Sequence, residues 1–426
     1  MIESLYQAYL KSTGISTDTR TIEKDNIWFS LKGPNFNANE FADQAIAKGA
    51  AIAVIDDAAY QKDERYFLVD DGLEALQALA KHHRKNLNIP VLAITGSNGK
   101  TTTKELVRDV LAKKYKVLAT QGNLNNHIGV PLTLLRIDAS IEFAVIEMGA
   151  NAQQEIAMLC DIAMPDYGLI TNIGKAHLEG FGGITGVFKG KTEMYDFLAQ
   201  AGGRVFVNTN FPRLVEKLQD LGIEHTSYPN VGNDLEVALL NEKPALEIRV
   251  YDQLLTTTLT GGYNLDNIAA ALCVGQYFGV AQSDALAAVR SYDPDNNRSQ
   301  VLTKGKNTII LDAYNANPSS MREALISFDK RDAANKVVIL GDMLELGDVS
   351  KEEHEQIGAL TKTLKNTTVH FCGQQMRSAL DGNPEGHYWQ TKKELTEYLR
   401  GQTLENALLL IKGSRGMSLE TLLEVL

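Results

Sequence analysis

The chain has 426 residues, of which 44% are hydrophobic and 22% are charged, and its formal net charge is −11. At roughly 150 residues per domain, this length predicts about three domains. The acidic balance argues against a general nucleic-acid-binding or anionic-membrane-binding surface, because both require a basic face.

Three scattered cysteines lack the spacing of metal ligands and predict reduced thiols in a cytoplasmic protein. The first residues, MIESLYQAYLKSTG, are too polar for a signal peptide. No apolar run approaches the roughly 20 residues that cross a bilayer. We therefore expect cytoplasmic localisation, no nucleic-acid partner, no membrane insertion and a monomer.

Short apolar strands alternate with helical patterns along most of the chain, which is typical of parallel α/β layers. The first segment has predicted strands at IWFSL (27–31), AIAVI (51–55) and YFLVD (66–70), followed by a helix that ends near residue 88. A residue before proline is disfavoured in helical conformation, and Ile89 precedes Pro90. We therefore place the first domain at residues 1–88.

The second segment has predicted strands at VLAIT (91–95), FAVIE (143–147), YGLIT (167–171) and RVFVNT (204–209). Alternating residues from 233 to 260 predict a small antiparallel patch, and two helices follow it. The turn-forming DPDNN (293–297) marks the next boundary, which gives domains at 89–294 and 295–426. The last segment repeats the α/β alternation with TIILDA, VVILGD, VHFCG and LLLIKG, so the predicted fold class is α/β throughout.

The stretch VLAITGSNGKTT (91–102) predicts a strand, a glycine-rich turn and the start of a helix. Glycines allow close approach of the backbone to a phosphate, and the unpaired N–H groups and dipole of a helix start favour an anion. Lys100 would neutralise phosphate oxygens, and the Thr101 hydroxyl would bind Mg²⁺. The common kinase and GTPase loop requires a glycine where this chain has Ile94. The alternative is an ordinary strand-to-helix turn with an exposed lysine.

Three further groups follow this loop along the chain. Glu147 ends a predicted strand beside the loop, where a carboxylate suits Mg²⁺, although an exposed strand-end acid has the same pattern. His177 follows another strand end, and a lone histidine is usually structural. Lys189 and Lys191 lie at a predicted helix start, where lysines most often face solvent.

Together these motifs resemble the Mur ligase superfamily, the ATP-dependent amide-forming enzymes of peptidoglycan precursor synthesis. Its shortened loop, T-G-[ST]-x-G-K-[TS], matches TGSNGKTT. Further stretches resemble the members that join D-Ala-D-Ala to UDP-MurNAc-tripeptide, namely STDTR (16–20), NLNNHIGVPLTLL (123–135), LDAYNANPSSM (311–321), VVILGDMLELGDVSKEEHEQIG (337–358) and IKGSRGMSLE (411–420). The resemblance implies an N-terminal UDP-sugar-binding domain, a central P-loop ATPase domain and a C-terminal Rossmann-like domain that closes over the active site.

The resemblance also implies roles for single residues. The ATP site would comprise Gly96, Ser97, Asn98, Gly99, Lys100, Thr101, Thr102, Asn267, Arg298 and Asp312. Two Mg²⁺ ions would be held by Thr101, Glu147, His177 and Lys191, with Lys191 carbamylated. The catalytic residues would be Lys100, Glu147, His177, Lys191 and Arg298. The substrates, UDP-MurNAc-tripeptide and D-Ala-D-Ala, would contact Ser16, Asp18, Arg20, Asn125, Asn126, Asn315 and Asn317.

Two positions depart from the family pattern, because Asn39 and Tyr263 stand where histidines are usual. Asn39 puts the uridine-side contacts in doubt, whereas Tyr263 could pack on the adenine base. One rival is the ligase that adds the third stem residue, but its D-N-P-R motif does not occur here. Folylpolyglutamate synthase shares the loop but lacks a uridine domain. A non-catalytic protein of this fold would be expected to lose Lys100, Glu147 or Lys191.

Overall fold

The computed structural model describes residues 1–242, 245–294, 297–402 and 404–426. Its N-terminal segment is a small α/β unit with a four-stranded parallel sheet in the order β1-β2-β5-β6 and a short β3–β4 hairpin. The elements are α1 (Ile2–Tyr9), β1 (Ile15–Ser16), β2 (Ile27–Phe29), β3 (Lys32–Gly33), β4 (Phe36–Asn37), α2 (Ala42–Ala47), β5 (Ile52–Ile55), β6 (Tyr66–Leu68) and α3 (Gly72–Asn86).

The central segment is built on a six-stranded parallel sheet in the order β12-β11-β10-β7-β9-β8. The elements that form and cover this sheet are β7 (Val91–Thr95), α4 (Lys100–Leu111), β8 (Val117–Ala119), α5 (Gly129–Leu134), β9 (Phe143–Glu147), α6 (Glu155–Ala163), β10 (Tyr167–Ile170), α7 (Leu178–Phe181), α8 (Ile184–Ala201), β11 (Arg204–Asn208), α9 (Pro212–Leu221) and β12 (His225–Tyr228). Every residue of β7 and β9 is buried, as expected for strands covered on both faces.

A three-stranded antiparallel patch and two helices complete the central segment, as the sequence predicted. They are β13 (Val237–Asn241), β14 (Glu247–Val250), β15 (Gln253–Thr256), α10 (Asn264–Tyr277) and α11 (Gln282–Ser291). Helix α10 packs closely on α4, because a Cβ placed on Gly275 would lie 2.4 Å from Cγ1 of Val110. This close packing brings the start of α10 next to the start of α4.

The C-terminal segment is a six-stranded sheet in the order β16-β17-β21-β18-β19-β20, parallel except for the edge strand β16. Its elements are β16 (Gln300–Lys304), β17 (Asn307–Asp312), α12 (Pro318–Asp329), β18 (Asn335–Gly341), α13 (Ser350–Thr361), β19 (Thr367–Cys372), α14 (Ala379–Gly382), β20 (His387–Trp389), α15 (Lys392–Arg400) and β21 (Ala407–Lys412). The four predicted strands of this segment are confirmed, whereas β16 and β20 were not predicted.

The α/β fold class is confirmed by these sheets. The first proposed domain boundary, 88/89, lies between α3 and β7. The second, 294/295, falls in the DPDNN turn, of which residues 295 and 296 lie outside the described residues. Among the described residues, no helix is long and apolar enough to cross a membrane.

The N-terminal and central segments are joined by a buried arginine. The Arg84 guanidinium, at the end of α3, donates to the carbonyl oxygens of Ala163 at 3.1 Å and Met164 at 3.0 Å, and to Asp166 Oδ2 at 2.9 Å. The two carbonyls lie at the C-terminal end of α6, where the helix dipole favours a cation. One side chain thus satisfies polar groups of both segments inside their interface.

We predict that Arg84→Ala lowers stability by about 2 to 4 kcal/mol, because it leaves buried acceptors without a donor. In a thermal unfolding experiment, this loss of stability should lower the midpoint temperature of the first unfolding transition. The control is Arg65→Ala, which breaks an exposed ion pair with Asp63 and should change stability little, because solvent screens exposed charges. Equal losses in the two variants would contradict the role of Arg84.

Candidate active site

The loop between β7 and α4 depends on two glycines. Gly96 and Gly99 have φ values of 142° and 78°, which L-residues rarely adopt. A Cβ on Gly96 would lie 2.0 Å from Thr171 Oγ1, and one on Gly99 would lie 2.5 Å from Asn267 Oδ1. The tight turn therefore fits only glycine at both positions. It leads directly into α4, whose first N–H groups have no acceptor within the helix.

Lys100, the first residue of α4, turns back over this loop. Its ammonium donates to the carbonyl oxygens of Gly96 at 2.7 Å and Ser97 at 3.2 Å. Burial lowers the pKa of Lys100 to about 8, with a further lowering from Arg298, while Glu147 acts in the opposite direction. A phosphate bound in the loop would replace the lost hydration and favour the protonated amine.

Glu147, at the end of β9, is 1% exposed and lies beside the start of α4. Thr101 Oγ1 donates to its Oε2 at 3.0 Å, and Asn125 Nδ2 donates to its Oε1 at 2.7 Å. The Lys104 ammonium lies 3.9 Å from Oε2. A carboxylate and a hydroxyl oxygen therefore meet at the edge of the phosphate loop, as a Mg²⁺ site requires.

His177 and Lys191 lie on the next elements along the chain. His177 has a left-handed backbone with φ 52°, and its Nδ1 contacts Glu345 Oε2 of the C-terminal segment. Lys191 on α8 is 1% exposed, and its amine donates to the Ala150 carbonyl at 3.1 Å. Burial, and secondarily Lys100, lower the pKa of Lys191 well below its ordinary value. This burial favours the uncharged form of the Lys191 amine, whereas the neighbouring Lys189 is exposed.

The described residues include no group of three or more His, Cys, Asp or Glu side chains arranged to hold a metal ion. Glu147 and Thr101 place two oxygen atoms 3.0 Å apart on the described part of the chain. A Mg²⁺ site of the predicted composition thus needs further oxygen atoms, which a carbamate or phosphates would supply.

Residues of the C-terminal segment, after the second proposed boundary, also lie near the phosphate loop between β7 and α4. Asn317 caps α12 and donates from Nδ2 to Asn98 Oδ1 at 2.7 Å. The Arg298 guanidinium stacks 3.7 Å from the ring centroid of Tyr314. Asp312 pairs with the buried Lys412 at 2.6 Å. The C-terminal segment is therefore docked against the phosphate loop.

The other predicted nucleotide and substrate residues have local partners. Asn267 accepts from Thr103 Oγ1 at 3.0 Å and donates to Asn264, which places it against Gly99. Asn126 accepts from the backbone N–H of Gly129, the first residue of α5, at 2.9 Å. Asn315 accepts from the N–H of Ala316.

The STDTR motif forms a surface turn at the carboxyl end of β1. The Ser16 hydroxyl donates to the Asp18 carbonyl at 2.9 Å, and Arg20 pairs with Asp18 at 2.6 Å. The Arg20 side chain is 85% exposed and thus accessible to a ligand. Its hydrogen bond lowers the pKa of Asp18 to about 2.

The two residues that depart from the family pattern, Asn39 and Tyr263, both form side-chain hydrogen bonds. Asn39 is fully buried, accepts from Ser30 Oγ at 2.8 Å and donates to Asp56 Oδ1 at 2.6 Å. It therefore holds neighbouring strand-end loops together from inside the N-terminal segment. Tyr263 shares a 2.7 Å hydrogen bond with Ser299, the second described residue after the linker.

Four residues at the site had no role in the sequence analysis: Asn172, Lys175, Glu345 and Glu353. Asn172 accepts from the N–H of Asn98 at 2.9 Å, and Lys175 pairs with Glu353 at 2.5 Å. Lys175 and Glu353 are 178 residues apart along the chain. Nothing in sequence spacing connects them.

Comparison with known proteins agrees with this architecture. A family model described as the Mur ligase middle domain matches residues 94–275, and one described as the Mur ligase, glutamate ligase domain, matches residues 297–415. The chain with its phosphate loop is thus a member of the Mur ligase family.

Similar proteins indicate which group of Mur ligases the chain belongs to. The protein named UDP-N-acetylmuramoyl-tripeptide–D-alanyl-D-alanine ligase in Bacillus subtilis (strain 168) is 34% identical over 427 residues, covering 96% of this chain and 92% of the relative. Its namesake in Escherichia coli (strain K12) is 31% identical over 423 residues, covering 97% and 93%. Within the Mur ligases, the chain is grouped with these D-alanyl-D-alanine ligases.

Solved structures support the same grouping. MurF from Acinetobacter baumannii superposes with a TM-score of 0.89 at 30% identity, covering all of this chain and 98% of that one. MurF from Thermotoga maritima, solved in complex with ADP, has a TM-score of 0.86 at 27% identity and covers 98% and 97%.

We predict that Gly99→Ala weakens ADP binding by at least about tenfold, which corresponds to 1.4 kcal/mol. The added Cβ would meet Asn267 and displace the start of α4. Gly232→Ala is the matched control, because Gly232 also has positive φ, 84°, but a Cβ there would meet no atom within 4 Å. Both variants should lose about 1 kcal/mol of stability through backbone strain. Calorimetric titration with ADP should separate them, and equal affinities would contradict the close packing.

Proposed function

We propose that this ligase joins D-Ala-D-Ala to the terminal carboxylate of UDP-MurNAc-tripeptide, forming UDP-MurNAc-pentapeptide, ADP and phosphate. The phosphate loop with Lys100 beside Glu147, in a chain related to named ligases over its whole length, is the observation that carries the proposal. The alternatives are a third-residue-adding ligase and a folylpolyglutamate-synthase-like ligase. A solved structure of the first kind covers 97% of this chain but at only 15% identity, which supports a common fold alone.

ATP is needed because an amide does not form from a carboxylate and an amine at neutral pH unless the carboxylate is activated. The peptide carboxylate attacks the γ-phosphorus, the new O–P bond gives an acyl phosphate, and the bond to the β-phosphate oxygen breaks. The amine then attacks the acyl carbon, loses a proton and expels phosphate. Both reactants in the first step are anions, so neutralising and positioning their charges dominates catalysis.

The cations for this step are Lys100 and Arg298, together with the loop N–H groups. Arg298 contributes to lowering the pKa of Lys100, which is consistent with the two charges acting on one region. The docked C-terminal segment would keep water from the site, where water would otherwise hydrolyse an acyl phosphate.

Mg²⁺ would be held by Thr101, Glu147, His177 and the carbamate of Lys191. When bound, Mg²⁺ would neutralise phosphate charge and polarise the transferred phosphoryl group. The oxygen atoms of Glu147 and Thr101, 3.0 Å apart, suit this ion.

The carbamate proposal for Lys191 rests on the burial of its amine, which is 1% exposed and therefore favours the uncharged form. A buried, neutral amine can attack CO₂, forming an N–C bond and releasing one proton. A plain ammonium at this position would repel a metal ion, whereas a carbamate offers it two anionic oxygens. The depressed pKa of Lys191 therefore supports a modified side chain.

The finer substrate assignments extend the same proposal. UDP would bind the exposed turn of Ser16, Asp18 and Arg20, and Asn125, Asn126, Asn315 and Asn317 would face the peptide and the interdomain site. Asn267 and Asp312 would contact the nucleotide. The three-domain division, a monomeric state and a cytoplasmic site of action complete the proposal.

Phosphate release tests the function. With UDP-MurNAc-tripeptide and ATP, we expect release that depends on D-Ala-D-Ala and is lost in Lys100→Ala, because the loop then lacks its cation. Circular dichroism should show that this variant is folded. Release without D-Ala-D-Ala at the full rate, or near-normal turnover of Lys100→Ala, would refute the proposal.

We predict that Lys191→Ala lowers turnover by about 100-fold or more, on the scale of losing one charge-stabilising group. Lys189→Ala is the control and should change turnover little, because its side chain is exposed. Exhaustive removal of CO₂ should depress the wild type reversibly, and ¹³C-bicarbonate should produce a carbamate NMR signal absent from Lys191→Ala. An unmodified amine in an active, metal-loaded enzyme would contradict the carbamate.

A further inference from the structure

The segment of residues 172–178, here called the strap, connects β10 to α7 and begins against the phosphate loop. Asn172 accepts from the N–H of Asn98 at 2.9 Å and donates from Nδ2 to the carbonyl oxygen of Asn98 at 3.0 Å. The Ser97 hydroxyl accepts from the N–H of Gly174 at 2.9 Å and donates to its carbonyl at 3.0 Å. Four hydrogen bonds thus fix the first half of the strap to the loop.

The second half of the strap contacts the C-terminal segment. The N–H of Lys175 donates to Ser319 Oγ at 3.0 Å, in the first turn of α12. The Lys175 ammonium lies 2.5 Å from Glu353 Oε1, in the first turn of α13. His177 contacts Glu345 in the loop after β18. Seven consecutive residues therefore join the phosphate loop to three elements of the C-terminal segment.

The Lys175–Glu353 pair differs from an ordinary surface ion pair. The Glu353 side chain is 8% exposed and that of Lys175 is 44% exposed. The carboxylate is therefore poorly hydrated, and losing its positively charged partner would destabilise it. If the C-terminal segment moved away, water could reach both charges. The attraction between them therefore stabilises the docked arrangement rather than either segment alone.

We propose that Lys175 is a positioning residue, which fixes the docked orientation of the C-terminal segment through Glu353. The proposal rests on the ligase function given above. Arg298 and Asn317 belong to the C-terminal segment, so a change in its orientation would displace both side chains. Asn317 donates to Asn98 of the phosphate loop at 2.7 Å, which places it at the nucleotide site of the proposed function. A shift of about 1 Å in such groups can reduce a rate by about 100-fold.

The test is a double-mutant cycle with Lys175→Ala, Glu353→Gln and the double variant. We expect each single variant to lower kcat by about 10- to 100-fold, with an unchanged KM for UDP-MurNAc-tripeptide, because the N-terminal segment is untouched. The double variant should lose no more than the worse single variant. Lys175→Arg keeps the charge and should retain most of kcat.

Small-angle scattering supplies a readout that needs no turnover. With ADP present, the two single variants should have a larger radius of gyration than the wild type and Lys175→Arg. The control pair is Lys306→Ala and Glu405→Gln, which removes an exposed ion pair within the C-terminal segment and should change neither kcat nor size.

Unchanged kcat, additive losses in the cycle, or an unchanged radius of gyration would overturn the proposal. A wild type that fails to ligate these substrates, with variants that still expand, would refute the proposed function and leave the positioning role standing. Normal ligation by variants that do not expand would refute the positioning role alone.

Discussion

The site is organised around one buried carboxylate in a cluster of cations. Glu147 is 1% exposed and accepts from Thr101 and Asn125, while Lys104 lies 3.9 Å away. Burial lowers the pKa of Lys100, Lys104 and Lys191 alike. Such an excess of desolvated amines favours the arrival of anions. Phosphates would relieve it, so these electrostatics favour the binding of ATP.

Hydrophobic packing and polar contacts both join the central segment to its two neighbours. One cluster of buried hydrophobic residues has members in all three segments. Toward the N-terminal segment, Arg84 adds hydrogen bonds to the carbonyl oxygens of Ala163 and Met164. Toward the C-terminal segment, ion pairs and side-chain hydrogen bonds contribute, including Lys175–Glu353, Lys330–Glu242 and Asn98–Asn317. Water can replace polar contacts of this kind when two surfaces separate. Separating the C-terminal segment would therefore exchange these polar contacts for water and would also divide the shared hydrophobic cluster.

The phosphate loop shows how far local sequence determines structure. Strand β7 spans Val91–Thr95 as predicted, and α4 starts at Lys100, because a buried apolar run, two glycines and three hydroxyl residues specify each step locally. The short strands β8, β12, β16 and β20 were not predicted. Their three to five residues carry too little periodicity, and they form because neighbouring strands offer hydrogen-bond partners.

By itself, the sequence determined the α/β class, the phosphate loop and the family, since these depend on residues that are close along the chain. Only the tertiary structure decided which distant groups meet. The local pattern around Lys191 alone is typical of a solvent-exposed lysine at a helix start. The packing of α8 instead buries its amine and lowers its pKa. Asn39 lies inside the N-terminal segment and hydrogen-bonds with Ser30. Lys175 forms an ion pair with Glu353, which is 178 residues away along the chain. Burial and partners at such separations follow from how helices and sheets pack, and no local pattern encodes them.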